Sequence, residues 1–213
     1  MIIEAPKNAI AALVLATGSS TDEAHPHLSA LSSALQAKGI MTLRFNFEYR
    51  SAGRAFPGPL TESVSDYLVA ANHLESISDP LPLFFGGHSY GSRVATHAAV
   101  ALQQGEASTY LGNRLKGIVG FSLPLHPRSR PHLERWQHLV SNRLPLLVLA
   151  GDRDPMVGAE PAAQFIKDNP ETTLQWVPGA DHGFRQTRAA SALYGSPYDL
   201  AATTARRWID SQL

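Results

Sequence analysis

Leu81-Pro82-Leu83-Phe84-Phe85-Gly86-Gly87-His88-Ser89-Tyr90-Gly91 is an apolar run that breaks into small residues, and Arg93-Val94-Ala95-Thr96-His97-Ala98-Ala99 follows it. The run has the length and composition of a buried strand. The alanine-rich stretch Ser89–Gln104 has those of a helix. Between them, Gly87, Ser89 and Gly91 form G-x-S-x-G. That motif places a serine on a sharp, strained strand-to-helix turn, and its glycines let strand and helix approach closely. A serine exposed in this way is a candidate nucleophile, and it needs partners elsewhere in the chain to activate it.

Outward from this stretch, six apolar runs alternate with segments of helical period. The runs are Ile10–Ala16, Met41–Phe47, Leu81–Gly86, Leu115–Phe121, Leu144–Ala150 and Thr173–Val177. Most are continuously apolar, as in strands covered on both faces. Met41–Phe47 carries Arg44 and Asn46, which suits a strand nearer an edge. Helices are expected over Pro26–Lys38, Thr61–Ile77, Ser89–Gln104, Pro161–Lys167 and Tyr198–Trp208, with one short helix within Arg128–Asn142. Strand and helix in alternation imply right-handed βαβ units. The expected architecture is α/β, a doubly wound, mostly parallel six-stranded sheet with helices on both faces, formed by one domain over residues 1–213. Ligands of such sheets bind beyond the carboxyl ends of the strands.

Two of those strand ends carry the residues a serine needs. A serine hydroxyl is a weak nucleophile without a base, and the base needs an orienting carboxylate. Gly151-Asp152-Arg153-Asp154-Pro155 follows the fifth run, and Pro178-Gly179-Ala180-Asp181-His182-Gly183-Phe184 follows the sixth. His182, in a loop flanked by glycines, is the candidate base. Asp154 is preferred as the acid because it lies far enough past the strand to reach the histidine loop. Asp152 suits a turn or a pairing with Arg153, and Asp181 a structural role. His88 is expected to pack toward a helix. His25, His27, His126, His132 and His138 are read as loop or helix-surface residues. For the developing oxyanion, one donor is the N–H of Tyr90. The other is that of Gly18 or Ser19 in the loop Ala16-Thr17-Gly18-Ser19-Ser20.

With these pieces in place, the chain resembles the α/β-hydrolase superfamily over nearly its whole length. The closer likeness is to the small, lidless group related to the KANL3/Tex30-type hydrolase-like domain and to dienelactone-hydrolase-like proteins. The residues that carry it are the loop 16–20, Leu43-Arg44-Phe45-Asn46-Phe47, the elbow 86–91, Leu123-Pro124-Leu125-His126-Pro127, and the loops 151–155 and 179–184. The resemblance implies Ser89, Asp154 and His182 as a catalytic triad. Two departures stand out. Thr17-Gly18 occupies the place where many relatives have His-Gly, and dienelactone hydrolases use cysteine where this chain has Ser89.

The expected reaction is cleavage of a small-molecule ester or thioester through an acyl-enzyme. The interval Ser122–Arg143 is too short for a lid domain, which suits an open cleft. Arg50 and Arg54, after the second run, are candidates to clamp an anionic substrate, with a solvated loop as the plain alternative. A non-catalytic scaffold and an acyltransferase built on the same three residues are the rival readings. A dinucleotide oxidoreductase would need G-x-G-x-x-G after the first run, where only Gly18 stands.

Composition narrows the remaining classes. Lys+Arg and Asp+Glu both number 18, so no net charge favours nucleic acid or anionic membranes as partners. There is no cysteine and no H-E-x-x-H spacing, so neither a metal site nor a cofactor is expected. The longest apolar run near the start, Ala9–Ala16, is too short to span a bilayer, and a cytoplasmic location is expected.

Overall fold

The computed structural model describes residues 1–105, 109–130, 132 and 134–213. Seven strands form one sheet in the order β1-β3-β2-β4-β5-β6-β7. They are β1 (Ile2–Glu4), β2 (Ala11–Ala16), β3 (Ile40–Arg44), β4 (Leu83–His88), β5 (Leu115–Phe121), β6 (Leu146–Gly151) and β7 (Thr172–Val177). Strands β2 to β7 pair in parallel, and β1 pairs antiparallel with β3.

The sheet therefore has one strand more than the six expected. Strand β1 is only three residues long, too short to show a period. As the polar residues after Met41 suggest, β3 lies near an edge of the sheet, second in the order, with β1 outside it. Arg44 is buried because Glu4 of β1 meets its guanidinium at 3.1 Å. Ser32 bonds both Glu4 and, at 2.6 Å, Thr42, and Arg44 Nη1 donates to Ser29 Oγ at 2.7 Å, while its Nε is buried without a partner.

Helices cover both faces. Helices α1 (Pro26–Ala37) and α8 (Pro197–Asp210) bury Leu28, Leu31, Leu35, Ala201 and Ala205 against one face of the sheet. On the other face lie α3 (Leu60–Ile77), α4 (Tyr90–Gln103) and α6 (Ala159–Asp168), with Tyr67, Val94, Ala98 and Phe165 in the core. Three short helices add to the expected set: α2 (Glu48–Ser51), α5 (Thr109–Arg114) and α7 (Arg188–Tyr194). Between β5 and β6 the described residues contain a single 3-10 turn, Gln137–Ser141, and no lid domain. Pro131 and Leu133, within the stretch expected to hold a short helix, lie outside the described residues. Among the described residues no helix is long and apolar enough to cross a membrane.

Candidate active site

The elbow is built by close approach. A Cβ on Gly87 would lie 2.5 Å from the carbonyl carbon of Gly91. A Cβ on Gly91 would lie 2.6 Å from Thr17 O and closer still to Ala16 O. Any larger residue at either position would push β4, α4 and the end of β2 apart. Ser89, between them, holds φ 55° and ψ −114° immediately before α4. A non-glycine residue in that region stores roughly 1–3 kcal/mol of strain, which the surrounding packing must hold. Its N–H donates to Phe121 O at 2.9 Å, and Ser92 Oγ donates to Ser89 O at 2.6 Å.

A second close approach brings the acid and the base together. A Cβ on Gly151 would lie 2.6 Å from the carbonyl carbon of Ala180 and 2.8 Å from Asp181 O, so the end of β6 sits against the loop after β7. Across this junction His182 Nδ1 lies 2.7 Å from Asp154 Oδ2, and His182 Nε2 lies 2.8 Å from Ser89 Oγ. The Asp154 side chain is fully buried, and its second oxygen accepts the Met156 N–H at 2.9 Å. A carboxylate accepts only, so it draws the His182 proton to Nδ1 and leaves Nε2 as the acceptor facing the serine hydroxyl. That is the arrangement in which a hydroxyl can be deprotonated as it attacks a carbonyl.

The neighbouring carboxylates hold the loops. Asp152 Oδ1 accepts the Gly179 N–H at 2.8 Å. Asp181 accepts from the N–H groups of Gly183 and Arg185, both at 2.9 Å, and pairs with the Arg185 guanidinium at 3.1 Å. These bonds outweigh burial and hold the Asp181 pKa below its ordinary value.

The candidate oxyanion donors meet at the same rim. The contact of Gly91 with Ala16 and Thr17 sets the loop after β2 beside the first turn of α4. Gly18 faces His88, and Ser19 O accepts the Tyr49 hydroxyl at 2.8 Å. Among the described residues, the N–H groups of Gly18, Ser19 and Tyr90 donate to no protein acceptor. Tyr49 is buried beside Tyr90, and burial first, then that neighbour, raises its pKa to about 12.

Arg50 and Arg54 are not brought into this array. Arg50 lies in α2 and its guanidinium turns back to Arg54 O at 3.4 Å, while Arg54 is exposed. Neither has a hydrogen bond to Ser89, His182 or Asp154.

His88 packs toward a helix as expected, and it makes a further bond the sequence did not suggest. His88 packs its ring against His27 of α1, at 4.2 Å between centroids, and its Nε2 also donates to His182 O at 2.8 Å. Burial first, then the neighbouring His27 and His182, holds its pKa well below the ordinary value, so it is a neutral imidazole with its proton on Nε2. His88 thus ties the backbone of His182 to the strand that carries Ser89. Adjacency to Ser89 was the one available hint of this, because the strand alternation aims the two side chains at different neighbours. Of the residues read as loop or helix surface, His27 is half-buried on α1 and His126 lies inside the protein. His27 bonds the Tyr198 hydroxyl at 3.0 Å under the His182 loop, and His126 is buried.

The parallel sheet and the strained serine turn, with no lid domain among the described residues, define a serine-hydrolase-type α/β architecture. The comparisons agree. Residues 9–210 match the model of an alpha/beta hydrolase domain family, and the chain belongs to that family. Among solved structures, an alpha-beta serine hydrolase homologue from Coxiella burnetii is 18% identical with a TM-score of 0.72, covering 97% of this chain and 89% of its own. Est1E from Butyrivibrio proteoclasticus, solved with ferulic acid bound, is 16% identical with a TM-score of 0.71, covering 99% and 94%. A dienelactone hydrolase from Anabaena variabilis is 19% identical with a TM-score of 0.68, covering 98% and 89%. At these identities the likeness to the three is one of fold.

Proposed function

We propose that this protein is a serine esterase or thioesterase working through an acyl-enzyme on Ser89. The observation that carries the reading is the unbroken chain from Asp154 Oδ2 to His182 Nδ1, and from His182 Nε2 to Ser89 Oγ, with links of 2.7 and 2.8 Å. Ser89 Oγ attacks the substrate carbonyl while its proton passes to His182 Nε2. Asp154 holds the ring in the required tautomer and stabilises the imidazolium. The tetrahedral oxyanion accepts from Tyr90 N–H and from Gly18 or Ser19 N–H. Collapse breaks the bond to the alcohol or thiol, which leaves with the proton from His182. Water then repeats the sequence on the acyl-enzyme, releasing the acid and restoring Ser89.

With only a 3-10 turn between β5 and β6 among the described residues, the reading favours a small ester or thioester, or an acyl group carried on a larger molecule. The serine hydrolase named among the structural relatives and the ferulic acid held by another support ester chemistry by analogy of fold. The test is a fluorophosphonate probe on the folded protein, with the adduct located by mass spectrometry and Ser89→Ala as control. A label on Ser89 that the variant loses is expected. A folded protein that takes no label would overturn the reading. A strong preference for long-chain over acetyl esters would count against the small substrate.

A further inference from the structure

The loop after β2 carries one half of the candidate oxyanion donors, and its own bonds hold it loosely. Gly18 O accepts from the Thr21 N–H and from Thr21 Oγ1, both at 3.4 Å, which is long for either bond. Thr17 Oγ1 and Thr21 Oγ1 share a bond of 2.6 Å that closes the loop on itself. Ser19 O is held differently, by the Tyr49 hydroxyl at 2.8 Å. Among the described residues this is the shortest hydrogen bond to the main chain of residues 18–20.

Tyr49 is itself fixed in place. It lies in α2, where its carbonyl accepts the Arg54 N–H at 2.8 Å and the preceding Glu48 N–H donates to Asp66 Oδ2 at 2.9 Å. Its ring is buried, stacked on Phe47 with 6.0 Å between centroids and 13° between planes. It meets the Tyr90 ring edge-on, at 6.4 Å and 82°. Tyr90 is held in turn by its hydroxyl, which donates to Ser63 Oγ at 2.9 Å. Tyr49 therefore joins the two sides of the array, with its hydroxyl on Ser19 and its ring against the residue whose N–H is the other donor.

The same segment holds the far end of the loop, because Asn46 Oδ1 accepts the Glu23 N–H at 3.0 Å. Burial first, then Tyr90, raises the Tyr49 pKa to about 12, so the hydroxyl remains a donor at neutral pH. A carbonyl pinned at Ser19 limits the swing of the Ser19 N–H, since the φ and ψ of that one residue are the only soft dihedrals between them.

We propose that Tyr49 is a positioning residue for the oxyanion hole, its hydroxyl holding the Gly18–Ser19 loop where an N–H faces the oxyanion formed on Ser89. This role rests on the esterase reading, since the oxyanion exists only if Ser89 attacks a carbonyl. Tyr49 acts through the loop, 30 positions away in sequence, and is not itself a catalytic group.

The test compares wild type with Tyr49→Phe, which removes one oxygen atom and keeps the ring, and with Tyr194→Phe, at an exposed position on α7, as control. Melting temperature shows that each is folded. The second-order rate of Ser89 labelling by a fluorophosphonate needs no known substrate, because the phosphonyl oxygen takes the place of the oxyanion. It should fall at least about tenfold in Tyr49→Phe, a part of the roughly 10²–10³-fold lost when a donor is removed outright. With 4-nitrophenyl acetate, kcat should fall by a similar factor while KM holds within about twofold, since acylation and deacylation both pass through the oxyanion. Affinity for a trifluoromethyl ketone, which Ser89 converts to a hemiketal oxyanion, should fall in step. Tyr194→Phe should match wild type in all three.

A folded Tyr49→Phe protein that stays within about twofold of wild type in labelling, kcat and ketone affinity would overturn the positioning role. A raised KM with kcat unchanged, or a lowered kcat with ketone affinity kept, would overturn it as well, because the hydroxyl would then serve ground-state binding or another step. In each of these cases a labelled wild-type Ser89 leaves the esterase reading standing. A folded wild type that takes no label overturns that reading, and this role with it.

Discussion

Replacing Asp154 with Asn keeps the shape of the side chain and removes its charge. The outcome follows from the two bonds Asp154 makes. One oxygen accepts the Met156 N–H at 2.9 Å and the other faces His182 Nδ1 at 2.7 Å. The carbonyl oxygen of an asparagine would stay with the Met156 donor, because the flipped amide sets two donors against each other in a buried place, at a cost of about 1–3 kcal/mol. The amide NH2 would then point at Nδ1, which must accept, and the His182 proton would move to Nε2. That tautomer cannot take the Ser89 proton. The expected fall in kcat is about 10⁴-fold, or roughly 5 kcal/mol of barrier. The assay is kcat on an activated ester, with circular dichroism and melting to show an intact fold. Asp152→Asn is the companion variant. It still presents an oxygen to the Gly179 N–H and should stay within about threefold of wild type. An Asp154→Asn protein that keeps a tenth of its activity, or an Asp152→Asn protein that falls as far, would refute the assignment of the acid.

Three further outcomes are expected. Gly91→Ala forces a methyl group against the Ala16 and Thr17 backbone, and urea melts should show a loss near 3 kcal/mol, at the upper end for overpacking, with activity falling as the elbow shifts. Tyr67→Phe removes a buried hydroxyl that accepts the Gly86 N–H at 2.7 Å and donates to Gly86 O at 2.9 Å, so stability should drop by about 1–3 kcal/mol without loss of the fold. Four histidines have depressed pKa values in the folded protein: His27 and His97 to about 4, His138 to about 3, and His88 well below its usual value. Their unfolded forms protonate near pH 6.5 and their folded forms do not, so stability is full above that pH and is lost as pH falls toward 4. Urea midpoints from pH 7.5 to 4.5 should fall steeply below pH 6.5, and a flat profile between pH 7 and 5 would contradict the neutral state of these rings.

The apolar runs around Leu13, Phe84, Val119 and Val148 could be read as strands from the chain alone. A strand buried on both faces must be apolar at every position, and its neighbours along the chain must carry helical period. The serine turn was legible for a similar reason, since a local steric demand appears as local glycines at positions 87 and 91. Strand β1 was not legible, because three residues carry no period and its place depends on the partnership of Glu4 with Arg44. The contact of His88 with the His182 carbonyl joins residues 94 positions apart, and no local pattern encodes it.

The sequence by itself determined the alternation of strands and helices, the strained turn at Ser89, and the placing of a carboxylate and a histidine after successive strands. All of these follow from short-range sterics and periodicity. Tertiary structure alone decided that His182 Nε2 comes to 2.8 Å from Ser89 Oγ, and that Asp154 and not Asp152 faces the ring. Such distances depend on how the carboxyl ends of β4, β5, β6 and β7 pack against one another, which is a property of the whole sheet and of no single stretch of chain.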